Sequence, residues 1–477
     1  MLAALILLPL AGALLAWLLP GDRFRPALLP LFAFPHLGLT LWLLYRTPPP
    51  SPGGWFHLDP LGKIVLLCTS ILFLFCSLYA LGYLAYRKER SSRILCIGLL
   101  VCLSAASLVT TTHHLGLLWV ALETTTISMA PLIYFNRNAR SIEATWKYLL
   151  ICSVGVALAL IGLFFLGYST IVAGVEPSLL LDDLMRDAPR LSSGWVHAAF
   201  VFLLVGFGSK MGLAPLHTWK PDAYGEAPGL VGAMLAGGLV NLAFLALLRI
   251  YQLCLATREI IFFQNALVAM GLISMFLAAV FMARQADFKR MLAYSSVEHV
   301  GIMAVALGLG GKAIFGALFH VFANGLTKGV LFLSSGNIHR SYNSKSTSQV
   351  AGVLRRLPWS GGLFLAGFIA ITGSPPFAPF ISEFTIVSSA FMQGRMLVAA
   401  LFLLSLTIIF IGMALTVLPM VMGEVPESSE VSPYRDTVWT VGPPLVMLLV
   451  VFMLGVWIPE PLLAILRAAA SLLEVRA

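Results

Sequence analysis

The chain alternates between long apolar runs and short polar ones, and the length of the runs matches the thickness of a lipid bilayer. About 20 apolar residues in a helix cross the hydrocarbon core, and fourteen runs here come close to that length. They cover residues 2–20, 27–45, 61–86, 93–111, 112–135, 145–172, 195–215, 229–251, 259–284, 291–310, 312–336, 360–391, 394–420 and 437–458. The narrowest division separates the fourth from the fifth, at residues 110–114. The predicted fold class is an all-α polytopic membrane protein of about 14 transmembrane helices. Its first apolar run is followed, not preceded, by Arg23 and Arg25, as an uncleaved span would be.

Two runs are interrupted. The seventh breaks at Pro215, which removes a backbone donor and clashes with the preceding turn. The twelfth breaks at Pro375 and Pro376, with Glu383 shortly after. Five spans separate the breaks, so the two helices run in opposite directions across the membrane. Broken helices at matching places in oppositely oriented halves mark an inverted repeat. The expected organisation is helices 1–3 (1–92), a first five-helix repeat (93–251), a second (252–420), and a last helix with a short tail (421–477).

The polar loops predict the orientation. With the N-terminus outside, inward loops carry 18 basic residues and outward segments 9; Lys63, Lys210 and Lys328 lie inside runs. Basic residues concentrate on the cytoplasmic side, so both termini are expected on the outer face of the plasma or inner membrane. Composition agrees with this class. Of 477 residues, 59% are hydrophobic and only 11% charged, with mean hydropathy +0.93, which excludes a soluble domain. The net charge of +9 is scattered over short loops without a basic, aromatic-studded helix face, so no nucleic acid is expected as partner. Cys68, Cys76, Cys96, Cys102, Cys152 and Cys254 form no metal-binding spacing and read as packing residues.

Charge inside an apolar run is costly and usually functional. Glu123, Lys210, Lys328 and Glu383 fall well inside runs, and Glu298, His299 and His320 join them. A buried Glu beside a buried Lys has two nearly balanced states, ion pair and neutral pair, and can pass a proton when a neighbour shifts the balance. Such residues could equally be static pairs that pin helices. Pairs of helical histidines can also hold haem, but nothing around His113, His114 or His320 forms such a pattern, and no cofactor or metal is expected. No nucleotide-binding loop or cluster motif supplies energy, so uphill ion movement would need a second gradient or a partner.

Several stretches carry a resemblance. GFGSKMGLAPLHTWKPDAYGEAP (206–228) resembles the seventh-helix signature of the antiporter-like subunits of respiratory complex I, Mrp-type antiporters and energy-converting hydrogenases. LDPLGKIVLL (58–67), SIEATWKYLLICSVG (141–155), FKRMLAYSSVEHVGIMAVALGLGG (288–311), LFHVFANGLTKGVLFLSSGNI (318–338) and GSPPFAPFISEF (373–384) look like the same family. The motifs around Glu298-His299 and Glu383 are most similar to component F of hydrogenase-4. The resemblance implies a glutamate–lysine pair at Glu123 and Lys210, a central lysine at Lys328 and an exit-side charge at Glu383. It also exposes departures: Asn241 and Asn324 stand where many members carry a lysine and a second histidine, and Lys220 stands where an apolar residue is common.

The implied function is a proton-translocating subunit that couples a partner's redox chemistry to ion movement, itself non-catalytic within an oxidoreductase complex. The implied partners are other membrane subunits, a soluble redox module and protons, or else Na⁺. Two alternatives stand beside it, an Mrp-like cation/proton antiporter subunit and a non-conducting membrane scaffold.

Overall fold

The computed structural model describes residues 1–87, 89–257, 260–283, 285–425 and 432–474. Within an apolar solvent every backbone N–H and C=O must be satisfied by the segment itself, and the long apolar runs accordingly fold as helices. The first quarter of the chain forms α1 (Leu2–Leu18), α2 (Arg25–Tyr45), α3 (Pro60–Tyr86) and α4 (Arg93–Thr111). Next come α5 (Leu115–Ile133), α6 (Ala139–Val172), the short α7 (Leu181–Asp187), α8 (Ser193–Met211) and α9 (Trp219–Glu226). The middle holds α10 (Gly229–Ala233), a π-helical turn (Met234–Leu239) and α11 (Val240–Thr257), which together make one continuous rod. Then follow α12 (Ile260–Met282), α13 (Phe288–Leu309), α14 (Lys312–Tyr342) and the single turn α15 (Val353–Arg356). The last are α16 (Pro358–Ile371), α17 (Ala378–Met392), α18 (Met396–Met422), α19 (Val438–Val456) and α20 (Glu460–Ser471).

Among the described residues, twelve helices are long and apolar enough to cross a membrane, while α1, α16 and α17 are shorter apolar helices. A count of fourteen therefore depends on taking α1 as a span and joining α16 to α17 across their break. Local chemistry sets the helix starts. Asp59 accepts the Gly62 N–H at 2.9 Å with Pro60 in the first turn of α3. Asn138 and Ser141 cap α6 reciprocally, which starts that helix six residues earlier than its apolar run.

Burial sorts the helices into a centre and a rim. The α10–α11 rod, α13 and α14 are enclosed almost completely, whereas α6, α12, α18 and α19 leave large apolar faces uncovered for lipid. α14 touches α3, α10, α13, α16, α17 and α19, and is a central axle of the fold. The two broken runs are packed alike: α6 runs along the broken α8–α9, as α14 runs along the broken α16–α17.

Three basic residues counted among the loop charges are tied inside the protein. Arg25 is buried and donates to the Ala16 and Leu19 carbonyls at the end of α1. Arg249 is buried in a two-pronged pair with Asp59 at 2.5 and 2.7 Å. Lys220, taken as an inward-loop residue, is 0% exposed inside α9. Without these three the basic tally is 16 against 8, the same two-to-one ratio. Lys88, Arg258, Arg284 and Arg476 of that tally, and part of the acidic stretch 424–436, lie outside the described residues.

Candidate functional site

Both proline-bearing runs are broken. α8 stops at Met211, Gly212 turns left-handed (φ 80°), and a non-helical stretch containing Pro215 leads into α9. The loosened backbone is held by Leu213 N–H to Gly208 O at 2.8 Å, Ala214 N–H to Ser274 Oγ of α12 at 2.9 Å, and Trp219 Nε1 to Ser209 O at 3.0 Å. At the second break α16 stops at Ile371, Gly373 turns left-handed (φ 67°), and Ser374–Phe377 carries Pro375 and Pro376 into α17. Gly455 of α19 lets that backbone approach closely, since a Cβ there would collide with Pro376 O. The Ala214–Pro215 and Pro375–Pro376 bonds are both cis.

The first group of charges lies beside the first break. Lys210, in the last turn of α8, is buried and places Nζ 3.7 Å from Glu123 Oε2 of α5. Glu123 accepts from Thr126 Oγ1 at 3.1 Å and from Ser153 Oγ of α6 at 3.0 Å. The lysine amine has no protein hydrogen-bond partner.

The second group joins three helices. α14 sets His320, Asn324 and Lys328 one above another at four-residue spacing, so they share a face. His320 Nε2 lies 3.0 Å from His299 Nδ1 of α13, and its Nδ1 lies 2.8 Å from Ser382 Oγ of α17. Glu298 Oε2 approaches His299 Nε2 to 4.0 Å. Glu383 brings a carboxylate oxygen within 4.8 Å of the two histidine ligand atoms. That His–His–carboxylate set matches a metal's donor preferences in type, though each member also belongs to the row of proton-bearing groups. Lys328 donates to Ser295 Oγ of α13 at 2.6 Å. Among the described residues no carboxylate comes within 4.0 Å of it.

The two asparagines stand on α11 and α14, which meet at Asn241. Asn241 is fully buried and donates to Gly237 O at 2.7 Å and to Val321 O of α14 at 3.2 Å. Asn324 is fully buried, and neither side-chain atom has a protein partner. Asn241 Oδ1, His299 Nε2 and Glu383 Oε1 are also without one. Buried polar atoms are nearly always satisfied, so this row is suited to holding water.

The sequence reading missed the hydroxyls: Thr126, Ser153, Ser295, Ser296 and Ser382 all contact a charged or histidine side chain of the two groups or Lys220. For Ser295 and Ser296 the visible signal was their place three and two residues before Glu298. The same reading noted Lys220 as a departure but placed it in a loop; its amine lies 3.1 Å from Ser296 Oγ and 3.3 Å from Ser296 O.

Comparison with known proteins gives this geometry a family. The model of the family described as "NADH:quinone oxidoreductase/Mrp antiporter, TM" matches residues 112–423. A hydrogenase-4 component F homolog of Methylacidiphilum infernorum is 35% identical over 408 residues, covering 84% of this chain and 85% of that protein. A chain of respiratory complex I from Thermus thermophilus superposes with a TM-score of 0.78 at 25% identity, covering 95% of this chain and 96% of that one. A chain of an archaeal membrane-bound sulfane sulfur reductase superposes with a TM-score of 0.87 at 23% identity, over 99% and 98% of the two chains, a likeness of fold alone. The chain is an antiporter-like, multi-pass membrane subunit and belongs to the NADH:quinone oxidoreductase/Mrp antiporter family.

Proposed function

We propose that this subunit moves protons across the membrane along its buried charged and histidine side chains, within a hydrogenase-4-like or complex I-like assembly. The supporting observation is the row itself: Glu123 and Lys210 in contact distance beside one break, His299, His320 and Glu383 together beside the other, and Glu298 and Lys328 on the same two helices as the histidines. A charge held at depth without full hydrogen bonding is poorly justified as a structural device, because a well-packed apolar side chain would be as stable or more so. Protons would enter at Glu123–Lys210, cross the water-holding row past Asn241 and Asn324, and leave by Glu383. Both asparagines can order water but cannot take up a proton themselves.

The drive comes from outside the chain. Moving one charge against 100 mV costs about 2.3 kcal/mol, and a soluble redox module in the same complex would supply it. Relatives are components of hydrogenase-4, NADH-quinone oxidoreductase and Na⁺/H⁺ antiporter complexes, so other membrane subunits are the expected neighbours. The two halves (93–251 and 252–420) act as inverted repeats, a reading supported by their matching breaks and packing. Both termini face outward in a cell membrane, as the basic bias favours. Proton uptake measured with redox turnover, in sealed vesicles carrying the purified complex with Lys328→Met, tests the reading. Loss of uptake per turnover with assembly intact supports it; unchanged uptake leaves the scaffold reading in its place.

A further inference from the structure

We propose that Lys220 is itself a member of the proton path, carrying protons from the Lys210 side of the first break to the serine–lysine cluster of the second half. The inference rests on the relay reading above and adds a residue to it. Three independent features of the molecule support the assignment.

The first is a correspondence between the breaks. A Cβ added to Gly212 would collide with Lys220 Cε, and a Cβ added to Gly373 would collide with Glu383 Oε2. At each break, then, a left-handed glycine vacates the space that a buried ionisable side chain fills. In both cases that side chain comes from the helix that follows the break. Glu383, the charge beside the second break, thus has its geometric counterpart in Lys220 rather than in Lys210.

The second is where α9 sits. It packs between α6 of the first half and α13 of the second. Asp222 fixes it there, accepting from Lys147 at 2.8 Å and pairing with Arg290 at 3.0 Å. Pinning α9 is therefore already accomplished by the Asp222 carboxylate near its surface. Lys220, two residues earlier, turns inward and is 0% exposed. Among the described residues no carboxylate lies within 4.0 Å of its amine. A buried cation with no counter-charge is a costly way to hold a helix.

The third is what the amine meets. Lys220 Nζ lies 3.1 Å from Ser296 Oγ, while Lys328 Nζ lies 2.6 Å from the neighbouring Ser295 Oγ. The two amines sit on the hydroxyls of adjacent serines, so a positive charge on one disfavours a positive charge on the other and a proton arriving at one favours release from the other. In the step inferred, the Lys220 ammonium gives one proton to Ser296 Oγ, the Ser296 hydroxyl hydrogen passes to Ser295 Oγ, and the Ser295 hydroxyl hydrogen goes to a Lys328 amine that has already given its own proton onward. Lys220 is left as a neutral amine and is reprotonated from the Lys210 side, so each turn moves one proton and changes no bond order.

The test uses the intact purified complex in sealed vesicles, with proton uptake per redox turnover as the readout. Lys220→Leu, Lys220→Gln and Lys220→Arg are compared with Lys210→Met and Lys328→Met. Arginine keeps the positive charge but does not release a proton, so it would rescue a structural role and not a relay. The expected result is loss of uptake per turnover in every Lys220 variant that assembles. Normal uptake in Lys220→Leu, restoration by Lys220→Arg, or failure of all three to assemble would overturn the inference. If Lys220→Leu keeps normal uptake while Lys210→Met and Lys328→Met lose it, only the role of Lys220 falls. If all of them keep it, the relay reading falls with it.

Discussion

Lys210 Nζ stands 3.7 Å from Glu123 Oε2, beyond hydrogen-bond range, while the two carboxylate oxygens are occupied by the hydroxyls of Thr126 and Ser153. The pair is close enough for each charge to stabilise the other and too far apart to be locked. A pair held at that separation can change partners when a third charge approaches, which a bidentate bridge does not do as readily.

Removing the acid should show how much the pair matters to stability. Glu123→Gln leaves a buried ammonium without its counter-charge. Breaking a fully buried pair costs about 3–5 kcal/mol, and the loss here should fall below that because Glu123 keeps 21% of its side chain exposed. Thermal unfolding of the purified complex should show a lowered midpoint for Glu123→Gln. An unchanged midpoint would mean that the lysine is already neutral or finds another partner.

The Asp59–Arg249 clamp provides the contrasting case, a pair whose role is structural. Burial by itself would raise the Asp59 carboxyl, but the Arg249 guanidinium outweighs it and holds the group at about 2, below its ordinary 3.8. A depressed carboxylate contributes in full above its ordinary value and loses that contribution as pH falls toward the folded one. Asp59→Asn should therefore destabilise the protein by about 3–5 kcal/mol at neutral pH. It should also flatten the fall in thermal midpoint between about pH 4 and about pH 2. Protons taken up per turnover by the folded fraction should not change.

The glycines of the breaks make a third prediction. Gly373→Ala puts a Cβ at a left-handed position and against the Glu383 carboxylate. The backbone strain costs about 1–2 kcal/mol, and displacement of Glu383 should reduce proton uptake beyond what the stability loss explains. Gly167→Ala in α6 is the control, because nothing lies within 4 Å of the added Cβ. It should be neutral or stabilise the helix by up to about 1 kcal/mol. Equal effects of the two variants on uptake would contradict the account of the breaks.

Orientation can be read with thiol reagents. The expected inward loops are 87–93, 284–290 and 339–356, which hold the exposed Ser91, Ala286 and Ser348. All six native cysteines are buried, so background labelling should be low. Ser91→Cys, Ala286→Cys and Ser348→Cys should resist an impermeant reagent applied to whole cells and react once the membrane is opened. Labelling from outside would reverse the topology.

Much of this architecture was legible because membranes enforce simple rules. Run length predicted most helices, and prolines at 215, 375 and 376 predicted both breaks, since a missing donor in an apolar solvent leaves few alternatives. Glu123, Lys210, His320, Lys328 and Glu383 stood out because ionisable groups are rare in apolar runs. What was not legible depends on where the chain goes after a break. Lys220 lies between a tryptophan and a proline in a polar stretch and read as a loop charge, until α9 folded back beneath Gly212 and buried it. Arg25 and Arg249 misled in the same way, their partners lying at the end of α1 and at Asp59, 190 residues from Arg249. The serines were hidden because hydroxyls are common in apolar helices and bond their own backbone there. Only the meeting of α13 with α9 and α14 gives Ser295 and Ser296 their lysine partners.

The most direct measurement is proton uptake and redox turnover recorded together on sealed vesicles containing the intact complex with Lys210→Met. Methionine has a similar length and no charge, so α8 and the packing around Gly212 should survive and the complex should assemble. The account predicts that protons taken up per turnover fall sharply or vanish. Uptake per turnover equal to that of the unmodified complex would show that Lys210 only holds helices together, and the proton path would fail at its first step.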